Sequence, residues 1–278
     1  MQVGDEFQRL AREGDDAIDL AEGALLIAAE EYPQLDISAY RSKLEALGAT
    51  LKNRLRPDIG PTEAILALNR YLFEELKFHG AAENYYDPRN SFLNEVLDRH
   101  VGIPITLSIL YILVGRRIGL DLDGVSFPGH FLVRCPVRDG TVVLDPFHKG
   151  ISLGIDDLQK RLEPLQGGVT PSRTEVAAML AAASNREILA RLLRNLRGIY
   201  LHFSQLPQAL SATSRILALT PDNAIEWRER GGLHHRLECF RAALGDYQNY
   251  LALAPQAEDV DAIRARIVEL QKTSSRLN

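Results

Sequence analysis

Hydrophobic residues recur at helical spacing through the first part of the chain. Their positions predict one helix over residues 5–29, which Pro33 ends, and a second helix over residues 37–55. A third helix is predicted over residues 62–76, with Thr62 as its N-cap. We interpret these helices as packing over the core of the protein, because no residue pattern in them suggests a catalytic site.

The most apolar helical pattern of the chain begins near residue 104. Pro104 is expected at its start, since proline is favoured in the first turn of a helix, where its missing N–H costs nothing. Arg116 and Arg117 suit the carboxyl end of the helix dipole, and Gly119 is typical of a residue that ends a helix. This helix is therefore predicted to lie at the centre of the fold.

Short strands are predicted after this helix, over residues 122–127, 130–135 and 141–145. Asp139-Gly140 is typical of the two-residue turn of a hairpin, formed here by the second and third strands. In such a hairpin, His130 and Asp145 lie near opposite positions, where side chains of paired strands can touch. A histidine beside a carboxylate makes up two-thirds of a catalytic triad, so the identity of the nucleophile decides the functional question.

The motifs of this middle region resemble those of a known family. They are Asn90-Ser91-Phe92, Pro128-Gly129-His130-Phe131 and Asp145-Pro146-Phe147. They are similar to those of the bacterial SirB family of transglutaminase-like proteins, which has no established activity and carries a helical-repeat tail. The resemblance implies an α+β fold, with a papain- or transglutaminase-like core that contains a small antiparallel sheet.

The resemblance also implies roles for three residues of the core. His130 falls on the catalytic histidine, Asp145 on the catalytic aspartate, and Pro104 on the cysteine that begins the helix of an active enzyme. A helix N-terminus and a neighbouring imidazole keep such a cysteine as thiolate, whereas proline has no nucleophile to offer. The His130/Asp145 pair is therefore predicted to be vestigial.

Other residues could in principle replace the missing thiol. Thr106 is the alternative nucleophile that we retain, because it is near the helix start, while Ser108 lies one helical turn beyond Pro104. Cys135 is five residues from His130 on the same predicted strand, so it is expected on the opposite face as a small buried hydrophobe.

A polar, turn-rich segment over residues 80–89 precedes the core motifs. A packed loop is the favoured interpretation, and the alternative is the rim of a ligand or peptide groove, for which Tyr86 and Arg89 would serve as anchors. Asn90 and Asn94 could join this loop to the helix start by hydrogen bonds. These four residues are our predicted binding residues.

A third polar side chain, His148, follows Asp145 closely enough to suggest a metal cluster with His130. The spacing matches no standard zinc motif, however, so we predict neither a metal nor any other cofactor.

The last third of the chain contains an internal repeat of 34 residues. Ala209-Leu210 recurs as Ala243-Leu244, and Pro221 recurs as Pro255. This period, with alanine, a leucine-rich helix end and proline, is typical of tetratricopeptide repeats, and about two and a half helical hairpins are expected. Arg191, Arg194 and Arg197 share one face, and a plain exposed face is the favoured interpretation over a site for a carboxylate.

These patterns predict three regions in order along the chain. They are an N-terminal helical part of the core (residues 1–80), the transglutaminase-like core (81–184) and an all-α array of tetratricopeptide-like repeats (188–278).

Composition excludes several classes of protein. The 278 residues carry a net charge of −5, without a long basic run, so we expect no nucleic-acid partner. There is no apolar run of membrane-spanning length and no signal-peptide pattern near the N-terminus, so we expect no membrane contact. The two cysteines do not form a disulfide framework, and the expected compartment is the cytoplasm.

Two functional hypotheses follow from these observations. The favoured one is a non-catalytic transglutaminase-like protein that binds a protein partner through its helical repeats, as a scaffold or regulatory module. The alternative is a hydrolase or acyl-transferase of papain-like class, which would use Thr106 or Ser108, or a metal held by His130 and Asp145. Loss of a triad nucleophile typically costs about a millionfold in rate, which favours the first.

Overall fold

Two compact units make up the chain in a computed structural model, which describes residues 3–138 and 140–276. The first unit is Met1–Leu192 and the second is Leu193–Asn278. Asp139 of the predicted hairpin turn lies outside the described residues. No helix in the described ranges is both long and apolar enough to cross a membrane.

In the described residues of the first unit, eight α-helices precede the helix that contains the division of the chain into units. They are α1 (Val3–Ala11), α2 (Leu20–Glu31), α3 (Ile37–Lys52), α4 (Pro61–Asn69), α5 (Leu93–Arg99), α6 (Pro104–Arg117), α7 (Ile155–Leu162) and α8 (Arg173–Ala178). A π-helical turn, Arg70–Glu75, continues α4. The next helix, α9 (Asn185–His202), contains the division between the units.

Six short strands form two sheets in the part of the first unit that the structure describes. They are β1 (His79–Gly80), β2 (Val101–Gly102), β3 (Asp123–Val125), β4 (Leu132–Val137), β5 (Gly140–Asp145) and β6 (Ile151–Leu153). β1 and β2 pair in parallel, while the other four form an antiparallel sheet in the order β3-β4-β5-β6. The α+β class and the small antiparallel sheet are thus confirmed.

The predicted helix over residues 5–29 is wrong, because the structure divides it. α1 ends at Ala11, and α2 begins only at Leu20. The Asp19 carboxylate accepts a hydrogen bond from the Glu22 amide at 2.9 Å, which caps a new helix. The predicted cap of the third helix is also wrong, since Gly60 is the N-cap of α4.

The second predicted strand begins later than expected. β4 starts at Leu132, so His130 precedes the strand instead of lying on it. Gly129 has φ of +70°, a left-handed turn conformation that glycine adopts without strain. Further along the chain, α8 is a short helix that Ser172 caps and that ends at Ala178.

Helix α6 forms the centre of the first unit. It begins at Pro104 as predicted, and it is buried nearly all round, as its continuous apolar sequence favours. The Tyr111 hydroxyl of α6 donates a hydrogen bond to Asn69 Oδ1 at 2.8 Å, and Asn69 Nδ2 donates to the Gly150 carbonyl at 2.9 Å. This chain of bonds ties the turn after β5 to α4 and α6.

The second unit consists of helical hairpins. After the end of α9, its helices are α10 (Leu206–Leu219), α11 (Ala224–Arg236), α12 (Phe240–Leu253) and α13 (Val260–Arg276). α10 and α12 begin and end 34 residues apart, so the repeat period is confirmed in the helix bounds. Gly231 of α11 lets the Tyr247 ring approach, since a Cβ at residue 231 would lie 2.9 Å from that ring.

A buried carboxylate joins the first two hairpins of this unit. Glu226 is 2% exposed, and it accepts hydrogen bonds from Arg194 at 2.7 Å and from Arg197. The interpretation of these arginines as a plain exposed face is therefore wrong. A hydrophobic period does not reveal which arginine of a helix faces a carboxylate of the next hairpin.

Candidate functional site

The predicted catalytic pair lies at the turn that follows strand β5. Asp145 ends β5 and caps a 3₁₀ helix, Pro146–His148, by accepting a hydrogen bond from the His148 amide at 3.3 Å. Its side chain is fully buried. A fixed buried carboxylate is thus positioned by the backbone on both sides of it.

Three cationic or imidazole side chains converge on the Asp145 carboxylate. His130 Nε2 lies 2.9 Å from Oδ1, His148 Nδ1 lies 2.8 Å from Oδ2, and Arg161 donates to Oδ2 at 2.7 Å. Burial alone raises the pKa of the carboxyl group. The hydrogen bonds and charge of His130, followed by those of His148 and Arg161, outweigh burial and hold the pKa of Asp145 far below its usual range.

His130 lies in the segment between β3 and β4. Its amide donates to the Phe127 carbonyl at 3.1 Å, and its ring is mostly buried, with Phe147 and His148 at ring-centroid distances of 5.9 and 6.0 Å. Within the described ranges, its Nδ1 atom has no hydrogen-bond partner. The ring therefore has one nitrogen fixed by Asp145 and the other available.

Thr106, the retained alternative nucleophile, is fully buried near the start of α6. Its hydroxyl donates to the Asn90 carbonyl at 2.8 Å and accepts from the Ile103 amide at 3.0 Å. These bonds join the loop before α5 to the first turn of α6. The Thr106 hydroxyl is therefore engaged in structure, and its recorded partners do not include His130.

We expect Thr106→Val to lower the free energy of unfolding by about 1 to 2 kcal/mol, because it leaves buried backbone groups without their partner. Denaturant titration followed by circular dichroism would measure the change. Thr62→Val is the matched control, since Thr62 is exposed. Equal effects of the two substitutions would contradict the assignment of a structural role to Thr106.

The side chains of Ser108 and Cys135 are also poorly placed or poorly suited to act as the nucleophile. The Ser108 hydroxyl is fully buried and donates to the Phe131 carbonyl at 3.5 Å. Cys135 is buried on β4, where burial raises the pKa of its thiol and so disfavours the thiolate.

Asn90 and Asn94 are both buried, but only Asn90 has recorded side-chain hydrogen bonds. Asn90 Nδ2 donates to the Asn84 carbonyl at 2.7 Å, and its Oδ1 accepts from Arg99 at 3.2 Å. Asn94 Oδ1 has no hydrogen-bond partner in the described part of the chain. The Asn90 side chain thus joins the preceding loop to the end of α5, whereas the sequence analysis expected both asparagines to join it to the start of the central helix.

Tyr86 lies on the exposed loop before the 3₁₀ turn Pro88–Ser91, and Arg89 lies within that turn. The Tyr86 side chain is 51% exposed and packs edge-on against Tyr85. Arg89 forms a paired hydrogen bond with Asp87, and these bonds lower the pKa of that carboxyl group. The loop therefore offers an aromatic surface, with its arginine already paired.

Arg161 is the site residue that sequence reasoning missed. It comes from α7, 16 residues after Asp145, and no motif marks it. The residue pattern of α7 predicts only an amphipathic helix with charges on its outer face. Its charge could have suggested an ion pair, but the partner is defined only by the fold.

The fold defines a transglutaminase-like domain followed by tetratricopeptide repeats. A family model described as "Transglutaminase-like superfamily" matches residues 38–194, and a tetratricopeptide-repeat model matches residues 196–268. The chain therefore belongs to the transglutaminase-like superfamily.

Bacterial proteins are among the relatives that match nearly the full length of this chain. A "UPF0162 protein" of Xylella fastidiosa (strain Temecula1) is 41% identical over 265 residues, which cover 95% of this chain and 94% of the relative. F-box only protein 21 of Mus musculus is 34% identical over 143 residues, which cover 49% of this chain and 21% of the mouse protein. A crystal structure of menin aligns over 91% of this chain and 69% of menin, at 13% identity and a TM-score of 0.43.

Proposed function

We propose that this protein is a non-catalytic member of its superfamily that binds a protein partner through its repeats. The main support for this proposal is a groove of about 570 Å³ in the second unit, lined mainly by α9, α11 and α13. These are the first helices of successive hairpins, and repeat proteins use such continuous surfaces to bind extended partners.

The charge of this groove favours an acidic segment as the occupant. Four arginines, Arg197, Arg228, Arg236 and Arg266, line it together with only two carboxylates, Glu229 and Asp259. The guanidinium group of arginine binds a carboxylate by paired hydrogen bonds. An excess of arginine therefore favours a ligand with acidic side chains or a free C-terminus.

Two of the four arginines have internal partners and two do not. Arg228 is paired with Asp259 at 2.8 Å, and Arg197 with Glu226. Arg236 and Arg266 are exposed, and no ion pair is recorded for either among the described residues. Their guanidinium groups are therefore available to a ligand.

A buried hydroxyl adds a polar group to the floor of the groove. Tyr247 lines the groove and is fully buried, yet its hydroxyl has no hydrogen-bond partner in the described ranges. A buried polar group of this kind costs about 1 to 3 kcal/mol when it is unpaired. Because the hydroxyl is closed to solvent, a ligand bonds to it only after neighbouring side chains shift.

We expect the double substitution Arg236→Glu/Arg266→Glu to weaken binding of an acidic peptide by about tenfold or more. The probe is a fluorescein-labelled hexapeptide rich in glutamate with a free C-terminus, and fluorescence anisotropy with the full chain measures its dissociation constant. The reversal removes two attractions and adds two repulsions.

The matched control is Arg241→Glu/Arg264→Glu, which makes the same change of net charge at exposed residues outside the groove. Unchanged affinity in this control supports the proposal. Equal weakening in both double variants would mean that net charge alone governs binding, and absence of binding to the unaltered chain would overturn the choice of an acidic partner.

The absence of catalysis is supported by the residues around the retained pair. Proline occupies the position that the family resemblance gives to the cysteine, and the hydroxyl groups of Thr106 and Ser108 are bonded to backbone atoms. No hydroxyl or thiol has a recorded hydrogen bond to His130 within the described ranges.

The His130/Asp145 pair favours a second candidate function, a hydrolase or acyl-transferase with a non-cysteine nucleophile. Its 2.9 Å separation is the geometry that a base and its orienting carboxylate adopt. Incubation with glutamine-donor, ester and peptide substrates tests it. Turnover that His130→Ala abolishes would establish this second candidate and overturn the first.

A further inference from the structure

We infer that His130, Asp145 and His148 form a binding site for a divalent transition-metal ion. One ligand atom from each residue can be chosen so that all three atoms lie within 4.8 Å of one another. Two imidazole nitrogens and a carboxylate oxygen are donors that zinc and its neighbours in the first transition series prefer. This inference is independent of the proposed role of the repeats.

The distances between the donors suit a shared ion. The His130 and His148 nitrogens lie 2.9 and 2.8 Å from the carboxylate oxygens of Asp145. Donors that are about 2.1 Å from one tetrahedral ion are separated by about 3.4 Å, so these donors need to move apart by only about 0.5 Å. Small side-chain rotations therefore convert two hydrogen bonds into coordination bonds, while the backbone keeps its place.

The three side chains differ in exposure, so the cluster is open to solvent on one side. Asp145 is fully buried, the His130 side chain is 15% exposed, and the His148 side chain is 52% exposed. An ion can therefore enter past His148. Three protein ligands with one side open to solvent leave room for a water or a substrate atom in the fourth position, the arrangement found in catalytic zinc sites.

The positive charge of Arg161 repels a cation at this site, but the position of its guanidinium group limits the repulsion. It donates to Oδ2 of Asp145, which leaves Oδ1 for the ion. Carboxylates that bind a metal through one oxygen are commonly held by a hydrogen bond to the other. Arg161 thus orients the carboxylate and neutralises part of its charge, which favours moderate affinity.

The sequence pattern argued against a metal because the spacing of these residues matches no zinc motif. His148 follows Asp145 on a 3₁₀ turn, and His130 comes from the segment before β4. The three residues are brought together by the pairing of β4 with β5 and not by a single helix. A spacing rule based on one helix or one loop therefore does not detect them.

The test is titration of the full, chelator-treated protein with Co²⁺, whose visible absorption reports coordination by nitrogen and oxygen, and with Zn²⁺ by calorimetry. We expect one ion per chain. His148→Ala is the main variant, because a half-exposed side chain can be removed without unfolding the protein. It should weaken binding by about tenfold or more.

His79→Ala is the matched control, since His79 is an exposed histidine of the same unit outside the cluster. Unchanged binding in the control with weakened binding in His148→Ala supports the site. Equal binding by His148→Ala and the unaltered protein, or no binding of either ion at micromolar concentration, would overturn the inference.

Discussion

Replacement of Asp145 by alanine is expected to lower the free energy of unfolding of the first unit by about 3 kcal/mol. The carboxylate is fully buried, and it is the shared partner of His130, His148 and Arg161. Its removal leaves Arg161 without its counter-charge. Because the three partners keep some exposure, water offsets part of the loss, and the expected value is at the low end for a broken buried ion pair.

Hydrogen exchange of the peptides that span β4 and β5 would measure this loss, because it reports the first unit separately from the repeats. A chelator in the buffer removes any contribution of a bound metal. Asp98→Ala is a suitable comparison, since Asp98 is an exposed carboxylate that Lys43 pairs at 2.7 Å. An equally small effect of both substitutions would show that the Asp145 cluster does not stabilise the fold.

The same cluster implies a dependence of stability on pH. Because the pKa of Asp145 is lowered in the folded state, its contribution is complete above the unfolded pKa of about 4 and is lost as pH falls towards the folded value. Asp145→Asn does not titrate. The difference in stability between the unaltered protein and Asp145→Asn should therefore shrink as pH falls below about 4, and a difference that grows in this range would contradict the assignment.

Local chemistry explains what the sequence could predict of this fold. Pro104 and Gly119 mark the ends of α6 because each residue restricts or permits particular backbone angles, and these limits need no knowledge of the rest of the chain. The proximity of His130 and Asp145 followed from a hairpin turn and two short strands. The 34-residue period was visible because the same residue types recur at equivalent positions.

What escaped prediction depends on contacts between distant elements. The helix expected over residues 5–29 is divided because Asp19 uses its side chain to cap α2, and a hydrophobic period alone does not show this competition. Arg161 reaches Asp145 from a helix whose sequence predicts only amphipathic character. The commitment of the Thr106 hydroxyl to Asn90 depends on a loop packed beside α6.

The loss of a nucleophile does not remove the chemistry of the residues that remain. An imidazole fixed by a buried carboxylate can serve as a base beside a thiol, and without the thiol the same donors suit a metal ion. His148 is the residue that makes this second use available, since it adds a further imidazole to the carboxylate. The inferred metal site thus uses the residues that the missing thiol would have needed.

Replacement of Glu226 by alanine is expected to lower the free energy of unfolding of the repeats by about 3 kcal/mol. Glu226 is 2% exposed and bonds to both Arg194 and Arg197, so its loss leaves two guanidinium groups without their shared carboxylate. The Arg197 side chain is 14% exposed and has little water to replace that partner. This single change should therefore loosen the contact between successive hairpins.

Trp227 provides the measurement, because it is the one tryptophan of the chain and it lies on α11 beside Glu226 in sequence. Its fluorescence during urea unfolding reports the repeats, and Glu226→Ala should move the midpoint to lower urea concentration. Glu229→Ala is the matched control, since Glu229 is a half-exposed carboxylate of the same helix that pairs with Arg228 at 3.3 Å. Its expected effect is about 0.5 kcal/mol. If both variants unfolded at the same urea concentration, the buried pairing of Glu226 would contribute no more than an ordinary surface ion pair.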